Sequence, residues 1–302
     1  MQAIAAFVLR GRNQAILSII GFATLALFFT PFGLFSAASI GLVTLVHGAK
    51  QGITITLIAS VFMLVISSFT GQMMLGVEYV VFYWLPVWFL AQLLAKDYSL
   101  SLVVMAASII GMVVAIILAA LYVSYESEWN KFILDNLLPA FEKAKVDMSQ
   151  EEIKVLLLSV GRWLVHFGAA YWVLSMCASL YIARWWQSLL YHPGGFGEEF
   201  RQLRFGIIFA VVGLVLTALA LIVKSGLLGQ IFIGMASVVA VLFMFQGLAI
   251  AHYVAAVRKL KGVWLYMLYV MMMVLMPYEL FLIALIGLSD NWANYRMRIK
   301  PL

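Results

Sequence analysis

The stretch SLVVMAASIIGMVVAIILAALYVS, residues 101–124, contains no charged side chain. A helix that crosses the hydrocarbon core of a bilayer needs about 20 predominantly apolar residues, and this stretch is long enough. The whole chain of 302 residues is similar in character: 65% are hydrophobic and 11% are charged, against about 25% charged residues in soluble domains. So few charges cannot cover a soluble globule, whereas a bilayer accepts apolar surface. The sequence therefore predicts an integral membrane protein and excludes a water-soluble one.

Nine apolar segments along the chain approach or meet the length of a membrane span. They lie at 13–30, 32–47, 52–70, 75–95, 99–124, 156–184, 205–223, 227–257 and 263–289. Because backbone groups inside lipid must be hydrogen-bonded within the protein, we expect an all-α polytopic transmembrane bundle of eight or nine spans, forming one integral membrane domain over 1–302. The first apolar stretch continues through Val46, beyond the apolar region of about 7–15 residues in a signal peptide, so we expect it to be retained.

The distribution of basic residues predicts how the chain is oriented. When the segments cross the bilayer alternately, one side receives ten basic residues: Arg10, Arg12, Lys50, Lys96, Arg184, Arg201, Arg204, Arg258, Lys259 and Lys261. The short connections on the other side contain only Lys224, and the longer segment 126–154 contains seven acidic residues against four lysines. The positive-inside rule then predicts a bacterial inner-membrane protein with a cytoplasmic N-terminus and a periplasmic 126–154 segment. The net charge of +6 thus reflects orientation in the bilayer, and no nucleic-acid partner is expected.

The C-terminal tail leaves the number of spans open. Nine crossings would place the tail outside, yet Arg296, Arg298 and Lys300 favour the cytoplasm. A helix break at Pro277 would convert 263–289 into a re-entrant pair and leave eight spans. The basic tail favours this second arrangement.

The segment 126–154 has an amphipathic pattern of its own. Its apolar side chains recur at helical spacing, namely Trp129, Phe132, Ile133, Leu137 and Phe141. We expect this outer helix to lie along the membrane surface. Ser149 and Glu152 have the spacing of a capping box, in which each side chain accepts a hydrogen bond from the other residue's backbone N–H, so a new helix should begin near Gln150.

Small residues at four-residue spacing form three stripes along the predicted spans. The stripes are Gly33, Ala37 and Gly41; Ala107, Gly111, Ala115 and Ala119; and Gly247, Ala251 and Ala255. Small side chains let helix backbones approach closely, which drives much of helix association in lipid. The pattern indicates packing inside the bundle. Alternatively, the first stripe is a docking face for another membrane protein.

Polar side chains inside apolar spans are candidate substrate contacts, because a central charge costs about 2.5–3.5 kcal/mol on insertion scales. Glu279 lies near the middle of 263–289, where a break at Pro277 would free backbone carbonyls beside it. The other candidates are Gln246 and His252, on different faces of one span, and Arg162 and His166, which share a face. Each has a structural alternative, since a buried polar group can join two helices and an arginine near a helix end can extend to the interface.

No motif in the chain indicates catalysis or a cofactor. The cytoplasmic loop 185–204 contains three glycines before a short helix, but no Walker lysine follows, and Glu198 and Glu199 would repel an anion. The chain has no His-Glu-x-x-His pair and no glycine-flanked serine nucleophile. The single cysteine, Cys177, excludes a thiolate metal cluster. We therefore expect no enzymatic activity, no metal site and no cofactor.

Four stretches carry a resemblance to a known family. They are VTLVHGAKQG at 43–52, PGGFGEEFRQLRFG at 193–206, FQGLAIAHY at 245–253 and IGLSDNWANYRMR at 286–298. With these stretches the chain resembles, over nearly its whole length, the YybS-like family of uncharacterised bacterial multi-pass membrane proteins. That family is distantly similar to the substrate-binding S components of energy-coupling-factor vitamin transporters. The resemblance implies a helical membrane domain that binds a small solute, and it assigns no catalytic residues.

Two functions remain open from the sequence alone. The first is a small-solute-binding transporter subunit in which Glu279, Gln246 and His252 contact the solute. Because the chain has no ATP-binding motif, such a subunit would depend on a separate energising ATPase module. The second is a non-transporting scaffold in the lipid bilayer, which assembles or regulates other envelope proteins through its small-residue stripes, its outer segment or its cytoplasmic loop.

Overall fold

The computed structural model describes residues 1–69, 71, 73–144, 148–275 and 278–299. Every regular element within these ranges is helical, which confirms the predicted all-α class. The helices are α1 (Gln2–Leu9), α2 (Arg12–Ala26), α3 (Phe32–His47), α4 (Ala49–Phe69), α5 (Met73–Ala95), α6 (Leu100–Phe132), α7 (Leu138–Lys143), α8 (Gln150–Tyr191), α9 (Gly195–Arg201), α10 (Gly206–Ile222), α11 (Gly226–Val257), α12 (Val263–Val274), α13 (Tyr278–Ala293) and α14 (Tyr295–Arg298). One π-helical turn, Tyr79–Trp84, lies within α5, and another, Ile133–Leu137, joins α6 to α7.

Five helices in the described ranges are long and apolar enough to cross a membrane, namely α4, α5, α6 with its continuation, α8 and α11. They correspond to the predicted segments 52–70, 75–95, 99–124, 156–184 and 227–257. A sixth crossing results if α9 and α10, which meet at 60°, are counted as one bent span. The predicted segments 13–30 and 32–47 form shorter helices of 15 and 16 residues. The total of eight or nine spans therefore stays a prediction.

Connections with predicted cytoplasmic charges meet at one end of the bundle, which we call the basic end. The Trp88 indole donates a hydrogen bond to the Ala49 carbonyl over 3.0 Å, so the α3–α4 connection lies beside the last turns of α5. The Arg204 backbone N–H donates to Ser101 Oγ over 3.2 Å, which brings the α9–α10 connection to the start of α6. These contacts place the connections that contain or adjoin Lys50, Lys96 and Arg204 at one end of the bundle. That this end faces the cytoplasm stays a prediction.

The C-terminal helices carry the chain away from the basic end and back to it. His252 Nε2 on α11 lies 2.9 Å from Tyr269 Oη on α12, as expected for a helix that turns back along its predecessor. The Tyr253 hydroxyl then donates to the Arg296 carbonyl over 3.1 Å, so the end of α13 lies beside the end of α11. The segment 263–289, for which the sequence leaves one span or a re-entrant pair open, forms parts of two helices of 12 and 16 residues. Arg296 lies at the basic end, as the re-entrant alternative requires. The predicted break at Pro277 lies outside the described residues, and the number of crossings stays a prediction.

The described residues of the outer segment, 126–144 and 148–154, form the far end of a hairpin made by α6, α7 and the start of α8. Ile133, Ile153 and Leu157 are buried at its centre, and the partly buried side chains packed around them include Trp129, Leu137 and Phe141. The predicted apolar face is present, but its partner is the next helix of the same chain. Phe132, the fifth predicted member of that face, is instead exposed.

The predicted capping box at the start of α8 is confirmed. Ser149 Oγ accepts a hydrogen bond from the Glu152 N–H over 3.3 Å, and a Glu152 carboxylate oxygen accepts one from the Ser149 N–H over 2.9 Å. These two bonds satisfy backbone donors that the first helical turn otherwise leaves unpaired. The helix therefore begins at Gln150 and continues without a break into the bundle.

Candidate functional site

The first small-residue stripe lies inside the bundle. Ala37 has no exposed surface, and a Cβ added at Gly33 would lie 3.3 Å from the Tyr79 hydroxyl oxygen. A Cβ added at Gly41 would lie 2.9 Å from the Cβ of Ala183. Helices α5 and α8 of the same chain therefore cover this stripe. It offers no exposed face to another protein, which corrects the alternative in which Gly33, Ala37 and Gly41 form a docking surface.

Helices α11 and α13 cross at two glycines. A Cβ at Gly247 would collide with the Ile283 carbonyl oxygen, and a Cβ at Gly287 would collide with the Phe243 carbonyl oxygen. The two backbones are thus in direct contact, as glycine pairs permit in membrane helices. Gly247, the first member of the third stripe, therefore lets α13 pack directly against α11.

Gln246, a predicted substrate contact, lies in a buried polar cluster at the basic end. Its Oε1 accepts a hydrogen bond from the Phe205 N–H over 3.2 Å, and its Nε2 donates to Asp290 Oδ2 over 3.2 Å. The exposed fraction is 0% for Gln246 and 1% for Asp290. Because both polar groups of the amide bond within the protein, Gln246 joins the α9–α10 connection to α13.

Asp290 is the centre of this cluster and was not among the residues predicted from sequence. Its Oδ2 lies 3.4 Å from an Arg296 guanidinium nitrogen, and its Oδ1 accepts a hydrogen bond from the Tyr295 N–H over 2.9 Å. Arg296 also donates to the Leu203 carbonyl over 2.8 Å. Burial lowers the pKa of the Arg296 guanidinium, and the Asp290 charge opposes that shift. One feature of the sequence could have indicated this cluster. Asp290 and Asn291 are adjacent polar residues that follow Gly287 by about one helical turn, at the end of the last apolar stretch.

His252, Arg162 and His166 lie in three different surroundings. His252 bonds to Tyr269 and meets the Phe200 ring edge-on at 5.5 Å between centroids. Arg162 is exposed on α8, whereas His166, one turn later, is half-buried and faces α11. Within the described residues, no hydrogen bond joins His252 to either of them.

Glu279 lies in the first turn of α13, far along that helix from the Asp290 cluster. It is partly exposed and lines an apolar groove with Leu214, Leu268 and Leu282. Eleven residues, about 16 Å of helix, separate it from Asp290. The structure therefore does not bring Glu279, Gln246 and His252 together around one cavity.

A second groove, of about 580 Å³, lies between α10, α11 and α13. We call it the α10–α13 groove; its walls are mainly apolar and include Phe243, Phe281, Ala284, Leu285 and Leu288. Three side chains add polar groups, namely Thr217, Ser237 and Lys224. Both hydroxyls donate to carbonyls of their own helices over 2.8 Å, which leaves their oxygen lone pairs available as acceptors.

Lys224 gives the α10–α13 groove one charged end. It follows α10 at the end of that helix opposite the basic end, and its side chain is exposed. Sequence reasoning placed this lysine alone in the short outer connections but did not select it as a site residue. An apolar groove with one cation at its end can hold an apolar body and attract one anionic group. Among the described residues, no three His, Cys, Asp or Glu side chains are grouped as a metal site would need.

Comparisons with known proteins give this chain no relative. No family model matches it, and no curated protein or solved structure matches it either. The resemblance to the YybS-like family therefore stays a prediction from the four stretches quoted above.

Proposed function

We propose that the chain is the solute-binding subunit of a membrane transport system, and that its solute is amphipathic, with an apolar body and one anionic group. The observation that carries this proposal is the α10–α13 groove, whose walls are apolar and whose outer end holds Lys224. Ligand sites in proteins are typically concave, about 300–1,000 Å³ in volume and largely apolar, with a few polar groups that fix orientation. The groove has these properties.

The chemistry of the groove indicates how a solute would lie in it. The Lys224 ammonium attracts a carboxylate or phosphate at the outer end, and the apolar body extends along the walls toward Phe243. Thr217 and Ser237 add acceptors for a hydroxyl or amide of the solute. Burial of the apolar body contributes about 25 cal/mol per Å² of surface removed from water.

The surroundings of the groove favour a preformed site. One wall belongs to α13, which the Gly247–Gly287 crossing and the Asp290 cluster hold against α11. A wall that is already fixed loses little conformational entropy when a ligand binds. Gln246, which the sequence indicates as a solute contact, thereby supports binding from a distance.

Transport against a gradient would require a partner. The sequence contains no Walker lysine, so a separate ATPase module would supply the energy, in line with the resemblance to S components. The polar cluster and α9 both lie at the basic end, which is the predicted cytoplasmic side where such a module would bind.

Ligand-induced thermal shifts of the purified protein test the proposal. We expect medium-chain carboxylic acids, such as decanoate, to raise the unfolding temperature more than the matching alcohols do. Lys224→Gln should abolish the difference between acid and alcohol, because only the charge contact is lost. Ala240→Phe, which adds a ring inside the groove, should reduce the response to both.

Two further variants distinguish binding in the α10–α13 groove from binding elsewhere on the protein. Lys143→Gln removes an exposed lysine of the outer hairpin and should leave every response unchanged. Glu279→Gln alters the neighbouring groove. If this variant changes the ligand-induced thermal shift and Lys224→Gln does not, the solute binds in the neighbouring groove, and the proposal is wrong. The proposal would be refuted if all variants gave equal thermal shifts, or if no amphipathic acid raised the unfolding temperature of the native protein.

The scaffold function is the second candidate, and exposed apolar surface on the outer hairpin favours it. Phe132 belongs to the amphipathic pattern of 126–154 but is exposed at the surface of that hairpin. A scaffold that uses this surface should lose a stoichiometric crosslinked partner in native membranes when Phe132→Ser is introduced. Ala240→Phe should not affect that crosslink.

A further inference from the structure

The N-terminal quarter of the chain contains cations without acids to pair with them. Residues 1–77 include Arg10, Arg12 and Lys50 but no Asp or Glu. In the ranges that the structure describes, the ion pairs found involve Lys154, Arg184 and Arg296. Neither Arg12 nor Lys50 belongs to any of them, so their charges are free to interact with an external group.

The structure places Arg12 and Lys50 in the wall of one pocket at the basic end. The pocket has a volume of about 350 Å³, and its walls include Arg12, His47, Lys50, Gln51 and Thr54. Gly48, with φ of +85°, makes the sharp turn between α3 and α4 that places His47 and Lys50 at the same corner. Ile55 is buried and forms an apolar part of the wall.

We propose that this pocket binds the phosphate of an anionic phospholipid headgroup. The guanidinium of Arg12 matches two phosphate oxygens in a bidentate contact, and the Lys50 ammonium adds a second positive charge. The Gln51 amide supplies a further donor. Basic pockets between membrane helices on the cytoplasmic side are a known type of headgroup site.

The helices that carry the pocket indicate a lipid as the source of the phosphate. On α4 the wall residue Thr54 is followed three and seven residues later, on the same helix face, by Leu57 and Val61, which are 55% and 62% exposed. Acyl chains of a bound lipid would lie against these side chains while the headgroup occupies the pocket. A free phosphate would gain nothing from this apolar surface.

Thermal unfolding of the purified full chain, with and without added lipid, tests the proposal. We expect phosphatidylglycerol to stabilise the protein at lower concentrations than phosphatidylcholine does, and the preference to fall as salt is raised. Arg12→Gln with Lys50→Gln should weaken the apparent affinity for phosphatidylglycerol about fivefold per charge removed. Both residues are exposed, so the double variant should keep the elution profile of the native protein.

A matched double variant and a soluble anion provide the controls. Lys96→Gln with Arg258→Gln removes the same charge from outside the pocket and should leave the lipid preference intact. If both double variants lose the preference equally, the effect is one of net charge and the proposal is refuted. If millimolar inorganic phosphate stabilises the protein as well as phosphatidylglycerol does, the site takes free phosphate and the assignment to a lipid is refuted.

Discussion

Asp290 connects three parts of the chain that are far apart in sequence. Its carboxylate contacts Gln246 on α11 and Arg296 in the tail, and Arg296 in turn bonds to the Leu203 carbonyl. The side chain of Asp290 is 2% exposed and that of Arg296 is 17% exposed. Removal of one partner from such a pair leaves the other charge poorly solvated, and that cost exceeds the net value of the pair itself.

Asp290→Asn should destabilise the protein by about 3 kcal/mol. The amide keeps the volume of the carboxylate, but it leaves Arg296 without its counter-charge and lacks the second carboxylate oxygen. We expect a lower unfolding temperature and faster proteolysis of a tag fused to the C-terminus. Asp97→Asn, an exposed acid near the basic end, is the control; similar behaviour of the two variants would contradict the role given to Asp290.

Gly287→Ala should also destabilise the protein, by about 1–3 kcal/mol, because the new methyl group would lie 2.6 Å from the Gly247 backbone nitrogen. Helix propensity alone predicts the opposite sign, since alanine is favoured over glycine within helices. Gly21→Ala is the matched control, because no atom lies within 4 Å of the added Cβ there. An unfolding temperature for Gly287→Ala at or above that of Gly21→Ala would show that the crossing is looser than described.

At the scale of single helices, Glu152 makes the start of α8 sensitive to acid. Hydrogen bonds from the Ser149 side chain and backbone lower the pKa of the Glu152 carboxylate. A lowered pKa in the folded state means that the stabilisation is present near neutral pH. It is lost as the pH falls through that lowered pKa.

Hydrogen exchange of the first amides of α8 tests this dependence. At neutral pH, Glu152→Gln and Ser149→Ala should both exchange faster than the native protein at these amides. Below the pKa of Glu152, the native protein and Glu152→Gln should become alike. Glu151→Gln, one position earlier, should match the native protein at both pH values; a pH effect equal in all variants would exclude the capping box as its cause.

Helix positions could be predicted because they depend on local sequence. The uncharged stretch 101–124 lies within α6, and the Ser149–Glu152 pair marked the first residue of α8. Hydropathy does not predict the return of α13, because it records where helices lie and not their direction; only the basic charges of the tail favoured that arrangement. The return depends on contacts such as that of Tyr253 with Arg296, which are 43 positions apart.

The candidate site was predictable only in part, because its residues have partners that are distant in sequence. Gln246 was recognised as a polar residue within a span, and it is buried as such a residue must be. Its partner Asp290 lies 44 positions away, in a polar ending without a hydrophobic pattern to place it. Lys224 was noted for its charge, yet only the packing of α10 against α11 and α13 shows that it lies at the end of a groove.

At the scale of the whole molecule, the charges and the fold agree on which connections share a side. The basic connections and the tail meet at one end of the bundle, and the acidic hairpin lies at the other. Which of these two ends faces the cytoplasm stays a prediction of the positive-inside rule.

Labelling of single cysteines with a membrane-impermeant maleimide tests this arrangement. Cys177 is buried, and Cys177→Ala provides the background. Gln202→Cys and Arg298→Cys should react only after the cytoplasmic side is opened, whereas Ser127→Cys should react in intact spheroplasts. Reaction of Arg298→Cys together with Ser127→Cys would contradict the return of α13 to the basic end.

The length of α8 has a practical consequence for imaging this protein. At a rise of 1.5 Å per residue, its 42 residues extend for about 63 Å, more than the roughly 45 Å of a bilayer with its headgroups. Part of α8 therefore extends beyond the bilayer, and the hairpin that it forms with α6 has a small core of its own. A rigid fiducial domain grafted between α7 and α8 would add mass and an asymmetric shape for particle alignment in electron cryomicroscopy, at a distance from the groove and from the phosphate pocket.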